Sequence, residues 1–126
     1  MVIQGIPAHP YYNIRASAAN VDIHWVRVAV ERSDAITAIS RANQIDLLEG
    51  IEPTHAGRHW IDLARAWTLH RNRANALDAL VQARAIAPQR TRYSPEVHEI
   101  VHHLAETDRR ASDSLAGFAR WARVRL

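Results

Sequence analysis

The 126-residue chain has no cysteine and no lysine, only four glycines and a single phenylalanine. Without cysteine there is no disulfide scaffold, no thiolate-ligated zinc or iron–sulfur centre and no thiol nucleophile. No apolar run approaches the roughly 18 residues of a membrane span. Met1–Pro10 has neither the basic segment nor the apolar stretch of a secretory signal, so a cytoplasmic protein without a membrane partner is expected. A Gly-rich phosphate loop and a G-x-S-x-G nucleophile elbow are missing as well. Because lysine is absent, all 16 basic side chains are arginine, and the net charge is only +3. The sequence pI of 10.2 therefore overstates how basic the chain is. Such a charge bears on solubility and association rates, not on fold. The length suits one domain.

What is present is helical periodicity. Residues 1–19 lack it: Gly5, Pro7, Pro10 and Tyr11-Tyr12 read as an extended amino-terminal arm, which leaves 20–126 as a helical domain. Asn20 reads as the cap of a helix to about Arg32, whose polar stripe is Asn20, His24, Arg27 and Glu31. Ser33 is read as the cap of a second helix to about Gln44, and Pro53 marks a loop over 50–57. Two further helices cover about 58–70 and 74–87, the latter stopped by Pro88. Ser94-Pro95-Glu96 is a helix start, followed by Val97, Ile100, Val101 and Leu104 at helical spacing. A last helix begins near Ser112 or Ser114 with a stripe of Leu115, Phe118, Ala119 and Ala122. The prediction is all-α, about six helices in three αα-hairpins with short connections.

The middle hairpin is the most specific. Trp60, Leu63, Ala64 and Trp67 are followed by Ala76, Leu80, Ala83 and Pro88, and this matches the tetratricopeptide pattern of alternating large and small positions closed by proline. Small residues at 64, 76 and 83 let helices approach closely, and the large ones fill the space between them. Trp25, Val28, Ala35, Ile39 and Ala42 make a degenerate version in the first hairpin. The third, keeping only the amphipathic pattern, suits a terminal cap. Three hairpins are close to the minimum for a stable stack, which makes a homodimer covering an open end a natural expectation.

The segments NVDIHWVRVAVERSDA, RHWIDLARAWTLHRNRANALDALVQARAIAPQ and SPEVHEIVHHL, in that order, resemble the carboxy-terminal tetratricopeptide-like region of actinobacterial Xre-type helix-turn-helix regulators. The resemblance covers about Ala18 to Leu104. In that family an amino-terminal domain binds DNA, and the repeat region senses a ligand or peptide or mediates self-association. Residues 1–20 are too short and proline-rich to hold a helix-turn-helix. The resemblance therefore implies a non-enzymatic sensing or interaction module with a protein, peptide or small acidic partner. It implies no direct DNA contact by this chain and no cofactor.

In a stack of hairpins the first helix of each lines the concave face. Its inward polar set here is His24, Arg27, Arg58, Asp62, Arg65, His98 and His102. The planar fork of arginine suits a carboxylate or phosphate, so Arg58 and Arg65 are candidates to bind an acidic group. The plainer reading is a solvated face with Asp62 neutralising its neighbours. Two alternative functions come from other residues. His98-Glu99-x-x-His102 spells the H-E-x-x-H string of zinc peptidases, in which the histidines bind metal and the glutamate is the base. Glu106 continues the same stripe, and no clear third ligand follows. His55 and His59 form another i, i+4 pair. This raises a small zinc-dependent hydrolase as one alternative. Arg109, Arg110, Arg120, Arg123 and Arg125 raise a nucleic-acid-binding module as the other, against a solvated last helix. His24, in a mostly apolar helix, is read as buried and satisfied. Trp60 and Trp67 are read as core, and Trp121 as the more exposed tryptophan.

Overall fold

The computed structural model describes residues 10–45, 50–107 and 113–126, with 10–17 as backbone only. All regular structure among them is helical: α1 Pro10–Glu31, α2 Ala35–Ala42, α3 Pro53–Leu69, α4 Arg73–Ile86, α5 Pro88–Tyr93, α6 Pro95–Thr107 and α7 Asp113–Trp121. Helices α1–α2, α3–α4 and α6–α7 form successive hairpins, and α5 bridges the second and third. Both helices of the first hairpin pack on α3, which packs most extensively on α4 and also touches α6. The result is an all-α stack of helical hairpins.

The departures from the expected boundaries concern proline and capping. Pro10, Pro53, Pro88 and Pro95 each open a helix, because a fixed φ and a missing N–H cost nothing in a first turn. The expected extended arm is therefore helical from Pro10 onward, and Asn20 lies inside α1 instead of capping it; residues 1–9 lie outside the described residues. The expected loop at Pro53 is the first turn of α3. Pro88 ends α4 and also opens α5, a helix beyond the six expected. Asp34, not Ser33, caps α2, accepting the Thr37 N–H at 3.2 Å. Ser33 instead takes a left-handed φ of 58°. The Ser94 expectation holds for α6: its hydroxyl accepts from the Val97 N–H at 3.3 Å and donates to Glu96 at 3.1 Å.

Two apolar clusters hold the stack. The larger joins α3, α4, α6 and α7 through Ile61, Leu80, Val97, Val101, Leu104 and Phe118, with Trp60 and Trp67 packed against its edge. Ala64, Ala76 and Ala83 are wholly buried in it, as small residues at a close helix crossing should be. The approach is also close at Gly57, where a Cβ would lie 2.6 Å from that of Ala87. The smaller cluster joins α1 and α2 to α3 through Val26, Ala29, Val30, Ala38 and Ala66. Trp121 is half-buried, contrary to expectation, with the Arg84 and Arg92 guanidinium carbons 5.4 and 4.7 Å from its ring centroid. No helix of the described residues is long and apolar enough to cross a membrane.

Candidate functional site

Helices α1, α3 and α6, the first helix of each hairpin, lie side by side and run the same way. Glu31 at the end of α1 meets Arg65 in the later half of α3, while Arg58 near the start of α3 meets Glu96 at the start of α6. On the face they share, Arg58, Asp62 and Arg65 follow one another at i, i+4 and i+7. Asp62 Oδ1 lies 3.6 Å from Arg58 Nε and 3.5 Å from Arg65 Nη1. Arg58 Nη2 reaches Glu96 Oε2 at 3.2 Å, and Arg65 Nη1 reaches Glu31 Oε2 at 3.5 Å. The sequence Glu31–Arg65–Asp62–Arg58–Glu96 is thus a ladder of alternating charge across all three hairpins.

The centre of the ladder is buried and incompletely satisfied. Asp62 is 1% exposed; its Oδ2 and the neighbouring Arg58 Nε are buried without a hydrogen-bond partner. Each such group costs about 1–3 kcal/mol. Burial pushes the Asp62 carboxyl up, against the pull of Arg58, Arg27 and Arg65 in the opposite direction. At Glu96 burial also works upward, but the Ser94 hydroxyl and Arg58 outweigh it and hold that carboxyl below its ordinary value.

Of the predicted set, the structure gathers Arg27, Arg58, Asp62 and Arg65; Arg27 is exposed and acts on Asp62 through its charge. His24, His98 and His102 stand apart. His24 is exposed, not buried, with its ring edge-on to Trp25 at 5.5 Å. His98 Nε2 lies 2.7 Å from the Arg92 carbonyl and so ties α6 to α5. His102 is exposed. Among the described residues no three His, Asp or Glu side chains come together as a potential metal-ligand set. Among the described residues the buried histidine is His59, 3% exposed, with Nδ1 unpartnered. Burial lowers its pKa to about 4. His59, Asp62 and Ala66 form one stripe of α3, and Ala66 packs against α1 and α2; the polar stripe thus faces the joint with the first hairpin. Arg120, Arg123 and Arg125 are exposed at the carboxy-terminal end, and Arg109 and Arg110 lie outside the described residues.

Past the Glu31–Arg65 end of the ladder opens a groove of about 780 Å³, bounded by the last turns of α1, α3 and α6 and by the α3–α4 turn. Val30, Ile100 and Leu104, all buried, form its floor, and Leu69, 48% exposed, is its accessible apolar side chain. Arg71, Arg73, Glu99 and His103 supply charge and polarity. Glu99, expected as the base of the H-E-x-x-H string, instead turns to the groove with His103, away from the His98–His102 stripe, while Leu69, Arg71 and Arg73 lie outside the expected polar set. Leu69 and Arg71 sit where α3 ends and helical spacing no longer assigns a face. The Glu99–His103 pair at i, i+4 was the available signal.

Comparison with protein families, curated proteins and solved structures finds no match to this chain. Its functional reading therefore rests on the geometry.

Proposed function

We propose that this chain is a non-enzymatic, tetratricopeptide-like module that binds a peptide segment of a partner protein between the first helices of its hairpins. The observation that carries this reading is the groove, where apolar surface and charged side chains from α1, α3, α6 and the α3–α4 turn meet in one recess. Its volume falls in the range of roughly 300–1,000 Å³ typical of ligand sites. The repeat-like reading is supported by the burial of Ala64, Ala76 and Ala83 beside half-buried Trp60 and Trp67. The non-enzymatic reading is supported by His98, whose Nε2 lies against a backbone carbonyl, and by Asp62, held between two arginines. A setting in transcriptional regulation is supported by the resemblance of residues 18–104 to the repeat region of Xre-type regulators.

The test is selection from a displayed random-peptide library, followed by amide chemical-shift mapping with the best synthetic peptide. The expected result is saturable binding with shifts concentrated on Val30–Ser33, Arg65–Arg73 and Glu99–Thr107. A library that yields no binder, or shifts confined to the outer face of α2 or to α7, would count against the proposal.

A further inference from the structure

Not all of the groove's charges are engaged within the fold. Glu31 and Arg65 hold each other at 3.5 Å, and Arg73 Nη1 donates to the Thr107 carbonyl at 2.9 Å. The side chains of Arg71 and Glu99, on different elements bounding the same groove, make no hydrogen bond or ion pair with any described residue.

The backbone at Arg71 fixes where its side chain leaves the chain. Arg71 sits two residues past the end of α3 with φ of 62°, its N–H bonded to the Thr68 carbonyl at 3.1 Å. Glycine or asparagine is the usual occupant of such a helix-ending, left-handed position. The same left-handed cap ends α1 at Ser33 and α7 at Arg123, so this backbone is a recurring helix stop of the fold. Here the turn leaves an unpaired guanidinium beside exposed Leu69 at the edge of the groove.

Resting on the peptide-binding reading above, we infer that the groove selects a short peptide combining three features. An apolar side chain of leucine size seats against exposed Leu69, above the buried Val30 and Ile100. A carboxylate meets Arg71, whose planar fork suits it. An ammonium or guanidinium meets Glu99. Opposite unpaired charges discriminate by attraction and by repulsion, since a partner of reversed polarity places like charges together at both points.

The experiment uses the full chain and a displayed library of random heptapeptides. The wild type should enrich peptides that carry an acidic and a basic residue together with an apolar one. Affinity for the best synthetic peptide should fall at least tenfold in Arg71→Gly and in Glu99→Gln. Arg71→Gly should leave the melting temperature unchanged or raised, because glycine accepts the left-handed backbone. The double variant Arg71→Glu/Glu99→Arg should prefer the same peptide with its acidic and basic residues exchanged. Enrichment of peptides whose binding is indifferent to these substitutions would overturn the charge assignment while leaving peptide binding standing. So would a lower melting temperature in Arg71→Gly with unchanged peptide selection, which would make Arg71 a partner for the carboxyl end of α3. No enrichment at all would remove both readings.

Discussion

Replacing Gly57 with alanine puts a methyl carbon 2.6 Å from the Cβ of Ala87. Carbon atoms settle at about 3.5–4.0 Å, so the two are short of contact distance by about 1 Å. The Ala87 methyl is fixed directly to the backbone at the end of α4 and cannot rotate away. Relief requires α3 and the α4–α5 junction to separate, with a cost of about 1–3 kcal/mol for overpacking. Alanine gains about 0.5–1 kcal/mol over glycine within a helix, so a net loss of about 1–2 kcal/mol is expected. Gly117 in α7 provides the control, because a Cβ there meets nothing within 4 Å. Gly117→Ala should therefore stabilise the fold by about 0.5–1 kcal/mol through the helix term alone. Urea unfolding with constant m-value reads both signs, and thermal unfolding should show a fall of roughly 4–8 °C for Gly57→Ala. Adding Ala87→Gly removes the opposing methyl, so the double-mutant cycle should return a favourable coupling of about 1 kcal/mol or more. Gly57→Ala matching the wild type in stability, or a cycle without coupling, would refute the close crossing of α3 and α4 at this point.

The remaining predictions concern the polar joint and a cap. His59 is held neutral down to about pH 4 while the unfolded chain protonates near 6.5, so the unfolded state binds the extra proton between those values. Stability should fall as pH drops from 7 to 4.5, by roughly 2–3 kcal/mol from this group. Urea midpoints at the two pH values should show His59→Leu removing most of that slope. Asp62 acts with the opposite sign: its raised pKa means the folded state takes up the proton first, so acidification relieves the buried carboxylate. Asp62→Asn should then leave stability at pH 7 within about 1 kcal/mol of the wild type or above it, as Arg58 and Arg65 keep Glu96 and Glu31. A larger loss in equilibrium unfolding would show that the arginine attractions outweigh burial. Asn72 caps α4 by accepting the Asn75 N–H at 3.0 Å. Asn72→Ala should cost about 1 kcal/mol in urea unfolding.

Much of the stack was legible because side-chain size and period repeat the physics of packing. The spacing points to Ala64, Ala76 and Ala83 as close-approach positions and to Leu80 as a gap filler, and all four are wholly buried. Ser94-Pro95-Glu96 announced α6 because cap, proline and acid each answer a separate need of a first turn. Proline misled elsewhere, since the same residue that ends one helix opens the next: Pro88 does both. Pro10 and Pro53 read as loop signals in the sequence, yet they start α1 and α3. At the site, the i, i+4, i+7 spacing of Arg58, Asp62 and Arg65 placed them together correctly. The spacing did not reveal which histidine is buried, because His24 and His59 both lie in helices with apolar neighbours and only the packing of α1 and α2 on α3 separates them. Leu69 and Arg71 escaped for a different reason: their direction depends on the left-handed turn after α3.

The division of the core between two clusters has a consequence for motion. The cluster that joins the first hairpin to α3 is built from alanines and valines with Ile39 and Ile45 beside them, and Ala66 is its buried α3 member among the described residues. The larger cluster, by contrast, carries Phe118, Leu80, Ile61 and several valines. Amide hydrogens of α1 and α2 should therefore exchange through a sub-global opening that leaves α3 and α4 protected, making the hairpin a cooperative unit of lower local stability. Since Val30, Glu31 and Ser33 of that unit form one wall of the groove, an occupant touching them also clamps the whole hairpin. Occupancy would then slow exchange as far away as the early turns of α1, converting a contact at one edge of the stack into order across its first layer.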